Sequence, residues 1–263
     1  MQAIPLSFFL FLAELAAGGL ILTTILDWDG EVSAGFLFLN GIFLLGFLAL
    51  GIWLRTVLPA GRLVDYAAGR AALDAEVWVW SLVALVTAAQ LVCIRLDRRR
   101  AGRAIGVFAI VASMAAIGTS SAAYASPVAG GIPLAATLMA GALALGAVWN
   151  GMMLGHWYLV TPLLAPRPLL RLIGAMTAVA LVQGVLATWA LLGGGVTESV
   201  AWLFWLRIGV GIAIPLALAL PIWRTARVRS MMSATGLLYV ALGMMLSGEI
   251  IAKALFFLTG IPV

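Results

Sequence analysis

Apolar residues in this chain fall in long unbroken runs, and short polar clusters separate one run from the next. About 20 consecutive apolar residues make a helix long enough to cross about 30 Å of hydrocarbon. The runs predict eight such helices, over roughly 4–26, 33–57, 76–96, 103–124, 132–160, 169–192, 199–223 and 231–259. Asp27-Trp28-Asp29-Gly30-Glu31, Arg98-Arg99-Arg100 and Gly193-Gly194-Gly195 mark three of the joints. Pro162, Pro166 and Pro168 close the fifth run and open the sixth. The runs are continuous and do not alternate, which argues against a transmembrane β-barrel. The reading is an all-α, polytopic bundle in which residues 1–263 form a single integral membrane domain. The first run lacks a basic leader, exceeds twenty residues and carries Glu14 at its middle, so it reads as a retained helix and not a signal peptide.

Composition agrees. Hydrophobic residues make up 64% of the 263 and charged ones 10%, against roughly a quarter charged in soluble domains. The +5 net charge is no nucleic-acid signature, because the basic residues collect at the ends of the runs. Arg95, Arg98, Arg99, Arg100 and Arg103 flank the third joint, Arg167 and Arg171 the fifth, and Arg224, Arg227 and Arg229 the seventh. Against these ten stand Arg55, Arg62 and Arg70 in the second joint. The positive-inside rule then puts the ten on the cytoplasmic side and both termini on the other. The compact, loop-poor pattern suits the inner (cytoplasmic) membrane of a bacterium, with lipid as the surrounding partner. The acidic first joint also falls inside, although acidic residues weigh little in this rule. The stretch from Leu58 to Ala75, with Leu63, Tyr66, Ala67 and Leu73 among alternating charges, reads either as a short amphipathic surface helix or as a loop.

Charges inside the runs are the candidate chemistry, since each costs about 2.5–3.5 kcal/mol at mid-helix. Four stand out: Glu14 in the first run, Arg207 in the seventh, and Glu249 and Lys253 in the eighth. Glu249 and Lys253 are four apart and share one helix face. The four charges sum to zero, so they form either a buried ionic network that fixes helix register or a polar pocket that handles protons or a polar head group. His156, the single histidine, follows Gly151 and Gly155, a small-residue pair that lets a neighbouring helix pack closely. His156 reads either as an interfacial residue bonded to a neighbour, where Trp157 and Tyr158 anchor the helix, or, with Trp157 and Asn150 as a second candidate group, as a contact to a quinone carbonyl or a proton carrier. Asn40, Gln90, Asn150 and Gln183 are also expected to bond between helices. Pro215 frees backbone carbonyls near Gly211, one turn beyond Arg207, and predicts a kink beside the charge.

One histidine and one cysteine, Cys93, exclude an internal disulfide, bis-histidine haem ligation and an iron–sulfur cluster held by this chain alone. No phosphate loop, zinc-ligand spacing or nucleophile beside a histidine is present, and no metal ligands are assigned.

The opening run Phe9-Leu10-Phe11-Leu12-Ala13-Glu14-Leu15-Ala16-Ala17-Gly18-Gly19 and the closing run Ser247-Gly248-Glu249-Ile250-Ile251-Ala252-Lys253-Ala254-Leu255-Phe256-Phe257, with eight spans, resemble membrane anchor subunits of the polysulfide-reductase and DMSO-reductase type (NrfD/DmsC-like). The closing run is similar to a Gly-Glu-x-x-x-Arg-x-x-Phe pattern, with Lys253 in place of the arginine. The resemblance implies a haem-free subunit of a respiratory oxidoreductase complex. It would exchange electrons between a quinone (menaquinone or ubiquinone) and a partner iron–sulfur or other redox subunit, with Glu14, Arg207, Glu249 and Lys253 around the quinone. Other readings stay open. Gly51-Ile52-Trp53-Leu54 loosely echoes Gly155-His156-Trp157-Tyr158, as an inverted-repeat transporter or channel would require. Lys253 is the sole lysine and lies in the last span, as a retinal-binding lysine does, but eight spans and the lack of a mid-chain counter-ion argue against that. A non-catalytic accessory subunit with structural charges is the fourth reading.

Overall fold

The computed structural model describes residues 3–57, 67–125, 131–194 and 196–263. They form α1 (Ala3–Asp29), α2 (Ala34–Val57), α3 (Ala67–Arg95), α4 (Arg99–Tyr124), α5 (Gly131–Val160), α6 (Arg167–Leu192), α7 (Ala201–Ile208), α8 (Ile214–Arg227) and α9 (Met231–Thr259), with a π-helical turn, Gly209–Ala213, joining α7 to α8. No strand occurs among the described residues. With α7, the π-turn and α8 counted as one span, eight helical segments are long and apolar enough to cross a membrane.

The predicted spans match these helices closely, with two informative differences. Helix α3 begins at Ala67, nine residues before its predicted start, because its alanine-rich opening is good helix-forming sequence. Residues 67–75 therefore extend a membrane-spanning helix, and the rest of the predicted surface segment, 58–66, lies outside the described residues. The second difference is at Pro215, which lacks an N–H and cannot donate to Gly211. The chain takes up the mismatch just upstream, where the Ile214 N–H reaches back five residues to the Gly209 carbonyl. The predicted kink is thus a π-turn, a feature frequent at functional sites.

Helices α1 and α5 pack together at the centre of the bundle, and each gathers the rest of a four-span group. In the first group α1 packs on α2 and α4, while α3 packs on both of those. In the second, α5 packs on α6 and α9, while the seventh span packs on both of those. The repeated relation is between spans four apart, which run in the same direction, and so it has the form of a parallel repeat. Glycines make the central contact possible. A methyl group at Gly18 would overlap the Ala142 carbonyl, and one at Gly146 would overlap the Gly18 backbone. At Gly155 a methyl would press on Thr235 of α9, so the Gly151/Gly155 pair admits a close neighbour as its spacing predicts.

The two ends of the bundle differ. At one end, here the charged end, the acidic first joint meets arginines from other connections. Asp27 lies 2.7 Å from Arg99 and 3.5 Å from Arg103, Asp29 pairs with Arg171, and Glu31 lies 3.8 Å from Arg167. The opposite end carries both chain termini and the short Val196–Val200 connection. Large apolar side chains such as Phe108, Leu85, Trp78, Val185 and Trp202 are exposed around the outside, as a lipid-facing surface requires.

Candidate functional site: a buried charge cluster

Four of the sequence candidates converge. Lys253 Nζ lies 2.8 Å from Glu14 Oε2 and donates to Glu249 Oε2 at 3.1 Å. Glu249 Oε1 accepts from Arg207 Nη2 at 2.8 Å and from Gln183 Nε2 at 2.5 Å. Four spans contribute: α1, α6, α7 and α9. All five residues are at most 4% exposed. Gln183 was expected to bond between helices, and its partner proves to be a charged member of the site.

The local sequence makes room for this. Gly141 on α5 faces the cluster, and a methyl group there would strike Glu14, Glu249 and Lys253 together. Gly211 in the π-turn and Gly248 on α9 close on each other beside Arg207 Nη1. Three small residues thus surround the charges, and the π-turn begins two residues after Arg207. Towards the terminal end, Ala187, Phe204, Leu255 and Val263 form a buried apolar cluster with α6, α7 and α9, and burial of the charged residues themselves strengthens their electrostatics.

Several polar atoms of the cluster remain unused. Glu14 Oε1, Arg207 Nε and Nη1, and Gln183 Oε1 are buried without a hydrogen-bond partner among the described residues. Buried polar atoms cost about 1–3 kcal/mol each when unpaired. The second network of this protein leaves no buried side-chain atom unpartnered, whereas the ion pairs at the charged end leave Asp27 Oδ2, Glu31 Oε2 and Arg103 Nε without one among the described residues.

That second network joins α2, α3 and α4. Glu76 Oε2 accepts from Arg55 Nε at 2.7 Å and Tyr124 Oη at 2.9 Å, and Glu76 Oε1 accepts from Ser120 Oγ at 2.6 Å. Trp80 Nε1 donates to Ser120 Oγ at 3.1 Å, and Arg55 Nη2 to the Leu73 carbonyl at 3.2 Å. Both carboxylate oxygens of Glu76 are used. Sequence reasoning missed this network. Arg55 counted as a loop cation, and Glu76 marked the expected start of a span. Only the extension of α3 back to Ala67 carries Glu76 inside the bundle.

The second candidate group is not brought together. Asn150 belongs to a closed amide cluster at the α1–α2–α5 contact. It accepts from Asn40 Nδ2 at 2.8 Å and donates to the Gly19 carbonyl at 2.9 Å, while Trp149 Nε1 donates to Asn40 at 3.0 Å. Six residues on, or about 9 Å along the helix, His156 is exposed near the charged end. Trp157 packs edge-on against Phe36, with ring centroids 6.0 Å apart.

On the outer face of the bundle, α6 and α8 leave two shallow open grooves of about 510 and 550 Å³ that meet at Leu181 and Leu216. Neighbouring residues of α6 serve the two features, since Gln183 bonds Glu249 and Gly184 lines a groove. Comparison with protein-family models, with curated proteins and with solved structures finds no match.

Proposed function

We propose that this protein is the quinone-reactive membrane subunit of a redox complex, and that the Glu14–Lys253–Glu249–Arg207 cluster orients the quinone ring and exchanges its protons. The observation that carries this reading is the set of unused polar atoms in a buried, convergent charge cluster. Arg207 Nε and Nη1 are donors suited to a carbonyl oxygen, and Glu14 Oε1 is an acceptor suited to a hydroxyl. The α6–α8 grooves supply an apolar track for a hydrocarbon tail on the outer face of the bundle, the combination of apolar wall and few polar groups expected of a ligand site.

Oxidation of a quinol releases two protons and two electrons. The chain has one histidine and one cysteine, too few for a bis-histidine haem or an iron–sulfur cluster of its own, and the reading assigns the electrons to a redox centre on a partner subunit. The closed hydrogen bonding of Glu76 assigns that second network to holding α2, α3 and α4 together. With the charged end towards the cytoplasm, as the positive-inside rule expects, Arg207, Glu249 and Lys253 would lie in the outer half of the membrane and Glu14 near its middle.

The test is quinol-dependent reduction of a soluble dye by the complex purified through a tag on this chain. Wild type is expected to turn over and to release quinone on solvent extraction. Lys253→Met, which leaves Glu249 its Arg207 and Gln183 bonds, is expected to lose at least about tenfold in rate, the loss that about 1.4 kcal/mol of transition-state stabilisation produces. A complex with neither quinone nor quinol-dependent activity, or full turnover in Lys253→Met, overturns the reading.

A further inference from the structure

The two carboxylates of the cluster are held differently. Glu249 has partners on both oxygens, with Arg207 Nη2 and Gln183 Nε2 on Oε1 and Lys253 Nζ on Oε2. Glu14 has a single contact, 2.8 Å from Oε2 to Lys253 Nζ, and its Oε1 is buried without a partner among the described residues. Adding a proton to Glu249 would remove the anion from Arg207 and break a three-donor arrangement. Adding one to Glu14 leaves Lys253 paired with Glu249 and leaves Arg207 untouched. A buried cation that loses its anion is costly, so the two carboxyls are not equivalent proton acceptors.

We infer that Glu14 is the proton-exchanging carboxyl of the cluster and that Glu249 is its fixed anion. Every helix packed on α1 agrees with this assignment. Helix α9 presents Lys253 and Glu249, with Arg207 of α7 behind them, and α5 presents Gly141, which has no side chain to cover the carboxyl. The titratable side chain of α2, Arg55, is tied to Glu76, as is Tyr124 of α4. The arginines of α4 and the histidine and tyrosine of α5 lie towards the charged end. Hydroxyl groups continue towards the terminal end. Thr137 lies one turn from Gly141 on α5 and Ser7 two turns from Glu14 on α1, both buried. The Thr137 hydroxyl donates to the Pro133 carbonyl of its own helix, and towards the charged end the α1 and α5 backbones close on each other at Gly18, Ala142 and Gly146.

The inference rests on the quinone reading for the source of the proton, yet it can be tested without a quinone. Infrared difference spectra of the full chain in lipid nanodiscs, titrated through pH, would be compared for wild type, Glu14→Gln and Glu14→Asp. Both substitutions leave the Glu249 contacts in place, Glu14→Asp also keeps an anion beside Lys253, and thermal unfolding of each variant in the same nanodiscs checks that it is folded. A protonated-carboxyl band that titrates in wild type, disappears in Glu14→Gln and shifts in Glu14→Asp is the expected result. Absence of such a band in wild type, or its persistence in Glu14→Gln, overturns the assignment. A titrating Glu14 band in a protein that never oxidises quinol would sink the quinone reading and leave the assignment standing.

Discussion

At the scale of single residues, what separates the two buried networks is how completely their polar atoms are used. Glu76 receives three hydrogen bonds from three donors on α2 and α4, and nothing is left over on its carboxylate. Glu14 receives one contact and keeps an idle oxygen. The first arrangement is what a structural clamp needs, because in a medium without water an unpaired atom has nowhere else to turn. Glu76→Gln removes the anion that Arg55 pairs with and is expected to destabilise the protein by about 3–5 kcal/mol, the usual loss when one member of a buried pair is deleted. Thermal unfolding in detergent reads that loss. On the proposed function, quinol turnover per folded molecule should stay at the wild-type value, because no hydrogen bond or ion pair among the described residues joins Glu76 and its partners to the other cluster. A Glu76→Gln protein that melts like wild type would show that the network contributes nothing to holding α2, α3 and α4 together.

At the scale of helices, close approach decides the architecture. Lipid offers no hydrophobic drive for helices to associate, so packing and buried hydrogen bonds must do it. The α1–α5 contact supplies both, with Gly18 and Gly146 against backbone and Asn40, Asn150 and Trp149 bonded one to two turns further on. Gly18→Val is expected to cost at least about 1–3 kcal/mol by overpacking. Gly118→Ala and Gly243→Ala, where a methyl group meets nothing within 4 Å, should be neutral or mildly stabilising, since alanine is the better helix former. Melting temperatures of the three variants check this, and equal losses at all three would remove the reason given for the central contact.

The helices themselves were legible in the sequence because a membrane span needs only length and apolarity. Which faces meet was not legible. Glu14, Arg207, Glu249 and Lys253 could be singled out because each interrupts an apolar run. Gln183 was visible as a polar residue without a stated charge partner. Arg55 and Glu76 sit where runs end, where a charge is ordinary, and only the three-dimensional register shows them buried. His156 was legible as a residue near the membrane surface and is exposed near the charged end, while Asn150 six positions earlier is buried.

At the scale of the whole molecule the two four-span groups place their charges at matching levels. Glu76 stands nineteen residues from the charged end of α3, and Arg207 stands twenty from the charged end of its span at Arg227. Each meets a residue pair spaced by four, Ser120 and Tyr124 on α4 in one group and Glu249 and Lys253 on α9 in the other, although Lys253 joins through Glu249. The network of the first group is saturated, and the cluster built on the second, which Glu14 of α1 joins from the first, is left open. On the proposed function, the side on which protons would leave the cluster depends on how the bundle sits in its membrane, and the asymmetry of its ends gives a prediction. The charged end gathers ten arginines from three connections, and the acidic first joint that otherwise opposes this bias is matched there by Arg99, Arg103, Arg167 and Arg171. In a Cys93→Ala background, Leu163→Cys at the charged end and Thr197→Cys at the terminal end place single thiols at exposed positions. A membrane-impermeant maleimide added to intact cells should label Thr197→Cys, and should label Leu163→Cys only after the membrane is opened. The reverse pattern would put the Glu14 cluster in the cytoplasmic half and turn its proton route towards the cytoplasm, leaving the internal geometry of the site unchanged.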